Sequence, residues 1–135
     1  MKERKYTINI AILCFVLYAL SSCATAGELS DPCESARNQA EMTACWATQA
    51  KVAQAAMSAR YQEVIDTVEA KKDVQLLGLT KQSQTAWEQY KQAQCKLEAS
   101  QFEGGSIAAV TQAICEERLA RNREQELQTI RDTGQ

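Results

Sequence analysis

The sequence contains no histidine. That removes the side chain that most often serves as a general base near neutral pH, and the commonest protein ligand for zinc. There is one proline, Pro32, and the glycines well inside the chain are Gly78, Gly104 and Gly105. With so few breakers, the elements should be long and the turns few. No apolar run reaches the roughly 20 residues that a membrane-crossing helix needs. The longest runs from Ile8 to Leu20, with Asn9 as its one clearly polar residue. Clusters of Lys and Arg are also missing, so phosphate neutralisation and nucleic-acid binding are not expected.

What is present begins with an export signal. Met1-Lys2-Glu3-Arg4-Lys5 is a basic flank, the greasy core follows, and small residues close it. Two cuts compete. Leu20-Ser21-Ser22-Cys23 has the form of a lipobox, with Cys23 as the residue that receives lipid. Ala24-Thr25-Ala26 has the form of an ordinary signal-peptidase site, leaving Gly27 first. The lipobox is complete and correctly placed, so the favoured reading is a signal peptide over 1–22, a lipid-bearing tether over 23–31, a helical domain over 32–131 and a tail over 132–135. Several acyl chains would hold such a protein at the membrane, since each buried CH₂ adds about 0.8 kcal/mol. Either cut sends the chain out of the cytoplasm, to the periplasm, the outer membrane or the medium.

The chain has 135 residues and a formal charge of −2. Its leader carries Lys2, Arg4 and Lys5 against Glu3, so the remainder carries −4. A mildly acidic single domain results, suited to a basic partner. Ala, Gln, Glu, Lys and Leu dominate it, all helix formers, so the class is all-α.

Asp31-Pro32-Cys33-Glu34 reads as a short helical turn, with Asp31 capping, Pro32 first and Glu34 closing a capping box. Asn38 with Glu41 three residues on starts a long helix from Gln39 to about Lys72. Its stripe is Met42, Trp46, Ala50, Ala53, Met57, Tyr61, Val64 and Val68, spaced by threes and fours. These residues read as core packing, not as a cofactor box. A second helix is expected over 73–101, interrupted near Gly78-Leu79-Thr80. Its apolar face is Leu76, Leu79, Ser83, Ala86 with Trp87, Tyr90, Ala93 and Leu97. Gly104 or Gly105 then takes a left-handed conformation, and Ser106 caps a third helix that reaches about Arg131. That helix should pack through Val110, Ile114, Cys115, Leu119, Leu127 and Ile130. Short connections make sequence neighbours antiparallel, giving an antiparallel three-helix bundle.

Cys33, Cys45, Cys95 and Cys115 in a small exported domain read as two disulfides. Three pairings are open to four cysteines. Cys95 and Cys115 lie ten residues either side of Gly105, level with each other on a hairpin turning there. Cys33 and Cys45 pair by elimination. On one straight helix they would stand about 18 Å apart, beyond the roughly 4.4–6.8 Å Cα separation of a disulfide. The chain near Arg37-Asn38 must therefore fold back. Spacings of this kind suit neither a thiol catalyst nor a Cys₄ zinc site, so no metal and no cofactor are expected.

The combined pattern resembles a known family. Cys33, Glu41, Cys45 and Tyr61 come first, then Gln84-Thr85-Ala86-Trp87 with Cys95 eight residues after the tryptophan. Gly104-Gly105-Ser106 follows, then Cys115 with Arg123 and Leu127 downstream. Over residues 33–130 this is similar to the LprI-like lysozyme-inhibitor family. The resemblance implies a helical, disulfide-bonded bacterial envelope domain, whose founding member is a lipoprotein that inhibits lysozyme. Lys91 departs from the pattern, where the family often has arginine. That keeps the charge and loses a planar fork.

The expected function is therefore a proteinaceous inhibitor of lysozyme at the cell envelope, with no catalytic residues. The alternative is a non-catalytic envelope module with another protein partner. Gln84, Trp87 and Arg123 are read as structural, with the arginine stem on the bundle and its head paired to a carboxylate. Glu103, Gly104, Gly105 and Ser106 form the candidate partner-contact loop, weighed against plain turn geometry. For a hydrolase the carboxylate pairs Glu116/Glu117 and Glu124/Glu126 would be the candidates, but they fall on a charged face.

Overall fold

A computed structural model describes residues 31–133. The signal peptide, both cleavage sites, Cys23 and nearly all of the tether lie outside the described residues. Within them are three helices: α1, Gln39–Ala70; α2, Val74–Ser100; and α3, Ile107–Thr133.

Local chemistry sets each boundary. The Asn38 side-chain oxygen accepts from Glu41 N–H at 3.0 Å, capping α1. Glu41 reaches back to the Arg37 N–H at 2.9 Å, so the reciprocal half of the cap lands one residue early. At the far end Lys72 takes φ 57°, a left-handed conformation that reverses the chain. Asp73 then caps α2 by accepting from Leu76 N–H at 2.9 Å. Gly104, with φ 82°, turns the chain between α2 and α3. Gly78 does not interrupt α2, which runs unbroken. One exposed glycine in a long helix costs only about 1 kcal/mol against alanine.

The order is up, down, up. Gln39 bonds the Ser106 carbonyl at 3.4 Å at one end, and Arg131 pairs with Glu63 at 2.6 Å at the other, so α1 and α3 run parallel. Sequence neighbours are antiparallel. Most packing lies between α1 and α3, and α2 rests mainly on α3. The core joins Ala53, Met57, Val64 and Val68 of α1 to Ala120 and Leu127 of α3. A second cluster, Cys95, Cys115 and Leu119, ties α2 to α3. Trp87 packs against both clusters.

The α1 stripe is buried largely as its spacing predicts, with Ile65 added. The α2 face is not. Leu79, Tyr90 and Leu97 are 55, 53 and 57 % exposed. The buried side of α2 instead carries Gln84 and Cys95, with Leu77, Trp87 and Lys91 half-buried. The reason is angular. Cys95 and Leu97 stand about 160° apart at 100° per residue, so a disulfide from Cys95 to α3 turns Leu97 outward. On α3, Ile114 and Ile130 are likewise exposed, and Ala113, Ala120 and Arg123 take their places.

Candidate functional site

Two places in the fold gather the chemically distinctive residues: one end of the bundle, and a buried polar knot beneath α2.

The end is made from the entry turn and the α2–α3 loop. Cys33 bonds to Cys45 with Cα atoms 5.8 Å apart, so the chain folds back before α1. Asp31 holds that fold by accepting from Cys33 N–H at 2.8 Å. Glu34 N–H donates to the Asp31 carbonyl and Ala36 N–H to the Cys33 carbonyl, a single turn. Across from it, Cys95 bonds to Cys115 with Cα atoms 5.4 Å apart. Beyond this bond the loop Gln101–Ser106 is exposed throughout. Gly105 N–H donates to the Phe102 carbonyl at 2.9 Å, and a Cβ on Gly105 would stand 3.2 Å from that oxygen. Glu103, Gly104, Gly105 and Ser106 thus form a tight, outward-facing turn. Phe102, 46 % exposed, stands beside Glu103. With the first turn of α1, the two segments present Asp31, Glu34, Glu41 and Glu103 against a single base, Arg37, which pairs with Glu41 at 3.6 Å. One end of the molecule is therefore acidic. The other three carboxylates are far from Glu103 in sequence, and the bond from Gln39 to the Ser106 carbonyl brings the start of α1 beside the loop that carries it.

The knot brings Gln84, Trp87 and Arg123 together. Arg123 is buried to 7 % and Gln84 to 5 % residual exposure. Every nitrogen of the guanidinium has an acceptor: Nε to Gln84 Oε1 at 3.2 Å, one terminal nitrogen to Glu126 at 2.9 Å, the other to Ser83 Oγ at 2.9 Å. Gln84 Nε2 donates to Glu88 at 3.3 Å and touches Met57 Sδ at 3.5 Å. A buried charge is tolerable only when its donors are satisfied in this way. Ser83, Glu88 and Met57 were not singled out from the sequence as partners here. Glu126 reads from the sequence as part of a charged, solvated face, and its position three residues after Arg123 marks a helix ion pair.

Tyr61 packs beside this knot. Burial pushes its phenol above the ordinary value, Glu88 pushes the same way, and Arg123 pulls it down. Lys91 lies with its ammonium 5.0 Å from the centre of the Trp87 ring and donates to Gln54 of α1 at 2.5 Å. A lysine therefore supplies the cation–π contact here, with one hydrogen bond where a guanidinium could make two.

Three of the four carboxylates considered for hydrolysis are engaged. Glu117 accepts from Arg121, Glu126 from Arg123, and Glu116 from Gln112. No group of His, Cys, Asp and Glu able to hold a metal occurs among the described residues. The best-formed cleft, about 230 Å³, lies at the opposite end of the bundle. It is lined by Val64, Val68, Leu76 and Ile130 together with three threonines, Lys71 and Arg131. Arg131 is already committed to Glu63 and Asp132; it holds the Glu63 carboxyl below its usual range, and Gln128, with Arg131, does the same for Asp132.

No helix of the described residues is long and apolar enough to cross a membrane. No curated protein and no solved structure matches the chain. A family model does match, over residues 30–127, and its description is Lysozyme inhibitor LprI. That span contains both disulfides, the acidic end and the Gln84–Arg123 knot, and on it the chain belongs to the LprI lysozyme inhibitor family.

Proposed function

We propose that this protein is an envelope-located, non-catalytic inhibitor of lysozyme that meets its enzyme with the acidic end of the bundle. The family match over most of the chain carries the reading. The acidic end supplies a surface for it. Asp31, Glu34 and Glu103 project from backbone fixed by two nearby disulfides, so little conformational freedom is lost on docking. Animal-type lysozymes are basic, and a carboxylate cluster would speed their approach at low salt. The Gln84–Arg123 knot lies inside the bundle and acts by holding α2 on α3, not by touching the partner.

Export and lipidation of Cys23 belong to the same proposal. Mass spectrometry of the mature amino terminus distinguishes a lipid-bearing Cys23 from a free Gly27.

The direct test is lysozyme turnover in the presence of the purified, oxidised protein. Inhibition of a basic animal-type enzyme is expected, weakening as salt rises. Joint substitution of Glu34 and Glu103 by lysine should slow association by about tenfold or more. Full turnover by animal-type and bacterial-type enzymes at micromolar protein would end this reading. The alternative envelope module would then stand, and capture of other envelope proteins would support it.

A further inference from the structure

We propose that two copies of this protein pair through the outer face of α2. The face is a seam from Leu76 to Leu97 that steps three, four, three, four, three, four along the helix. That is a strict 3.5-residue period held for three heptads, the repeat of a helix that supercoils with another helix. The fold uses little of it: Ser83 accepts from Arg123 at 2.9 Å and Leu76 borders the cleft against α1 and α3. The bundle buries the side that carries Gln84 and Cys95, and every member of the seam is exposed. The Cys95–Cys115 bond locks α2 in this rotation, so the seam cannot turn inward. Leu79, Tyr90 and Leu97 supply its apolar bulk, while Ala86 and Ala93 are small enough for a second backbone to come close.

The flanks say which partner fits. In heptad terms, one flank carries Gln75, Gln82, Gln89 and Lys96, and the other Thr80, Trp87 and Gln94. Charges at these positions normally select an unlike helix and repel a like one. Here Lys96 is the one charge, Trp87 turns toward the core, and the rest are neutral amides and a hydroxyl. A second copy meets no row of like charge, and its glutamines can bond those facing them. A charged partner would find only Lys96 to pair with. The seam spans one helix face only and several of its residues are small, so the dimer is a weak one. It is separate from the acidic end and does not depend on the lysozyme reading.

Sedimentation equilibrium of the oxidised, exported protein tests this. The average mass should climb toward twice that of one chain between about 1 and about 100 μM. Ala86→Glu, at the centre of the exposed seam, should hold the protein at one chain throughout, with an unchanged helical circular-dichroism spectrum. Gln92→Glu, exposed but off the seam, should dimerise like the parent. A parent that stays monomeric across the range overturns the proposal. So does a dimer that Ala86→Glu leaves intact. A monomer in which Ala86→Glu instead abolishes lysozyme inhibition overturns it too, and assigns the face to the enzyme.

Discussion

Removing the Arg123 guanidinium tests the polar knot most sharply. Arg123→Met keeps an unbranched stem and deletes the charge. Glu126 is 58 % exposed on its side chain and Ser83 is exposed, so water replaces the arginine at both. Gln84 Oε1 is different: it is buried and loses its donor. An orphaned buried acceptor costs roughly 1–3 kcal/mol. Gln84→Leu leaves the complementary orphan, a buried charged Nε–H, at about the same cost. In a domain this size each kilocalorie moves the melting temperature by roughly 4–8 °C, so each single change should lower it by about 10 °C. Made together, the two changes remove both halves of the bond and place two apolar chains beside Met57 and Trp87. The double variant should therefore be less damaged than the two losses added, by roughly 1–2 kcal/mol. Urea unfolding followed by circular dichroism gives the four free energies, with constant slopes as the check on two-state behaviour. Losses that add to within about 0.3–0.5 kcal/mol would show that the pair is not coupled, and the account of the knot would fail.

Three further outcomes are expected. Tyr61 has its phenol pKa raised in the fold, so the stability it contributes is present below pH about 10 and lost as pH rises through the raised value. Tyr61→Phe should flatten that alkaline limb, and Arg123→Met should move the Tyr61 phenolate titration still higher when followed by ultraviolet difference absorption. Lys72→Gly should stabilise the protein by about 0.5–1 kcal/mol in urea unfolding, because Lys72 holds a left-handed φ that glycine adopts without penalty. Met57→Ala should cost about 2–5 kcal/mol in the same assay, since Met57 is 1 % exposed at the α1–α3 seam and also contacts Gln84.

The helix limits were legible because capping chemistry is local. Asn38, Asp73 and the Gly104-Gly105 pair mark ends that the structure places within a residue or two. The α1 seam was legible because a single stripe on that helix is apolar. Helix α2 misled because it has two stripes of helical period, and the greasier one faces out. Hydrophobicity alone favours Leu79, Tyr90 and Leu97. Yet the cysteine spacing already held the correction, since a bonded Cys95 and an inward Leu97 exclude each other on one helix. The acidic end was not legible, because Asp31 and Glu34 share an end with Glu103 only through the folded-back turn and the course of α3 alongside α1. The involvement of Ser83 and Glu88 depends on the rotation of α2, which the hydrophobic pattern assigned wrongly.

The placement of the two disulfides has a consequence for how the molecule comes apart. One bond ties the entry turn to α1, and the other ties α2 to α3; neither crosses from α1 to the α2–α3 pair. The largest packed surface is thus held by side chains alone, with Lys71-Lys72-Asp73 as the single covalent bridge. A protease cutting at that dibasic turn would leave two separately oxidised fragments with no sulfur link between them. The nicked protein would survive as a non-covalent complex whose strength reads out the α1–α3 interface directly. The same arrangement would let α1 of one chain be traded for that of another without breaking a disulfide.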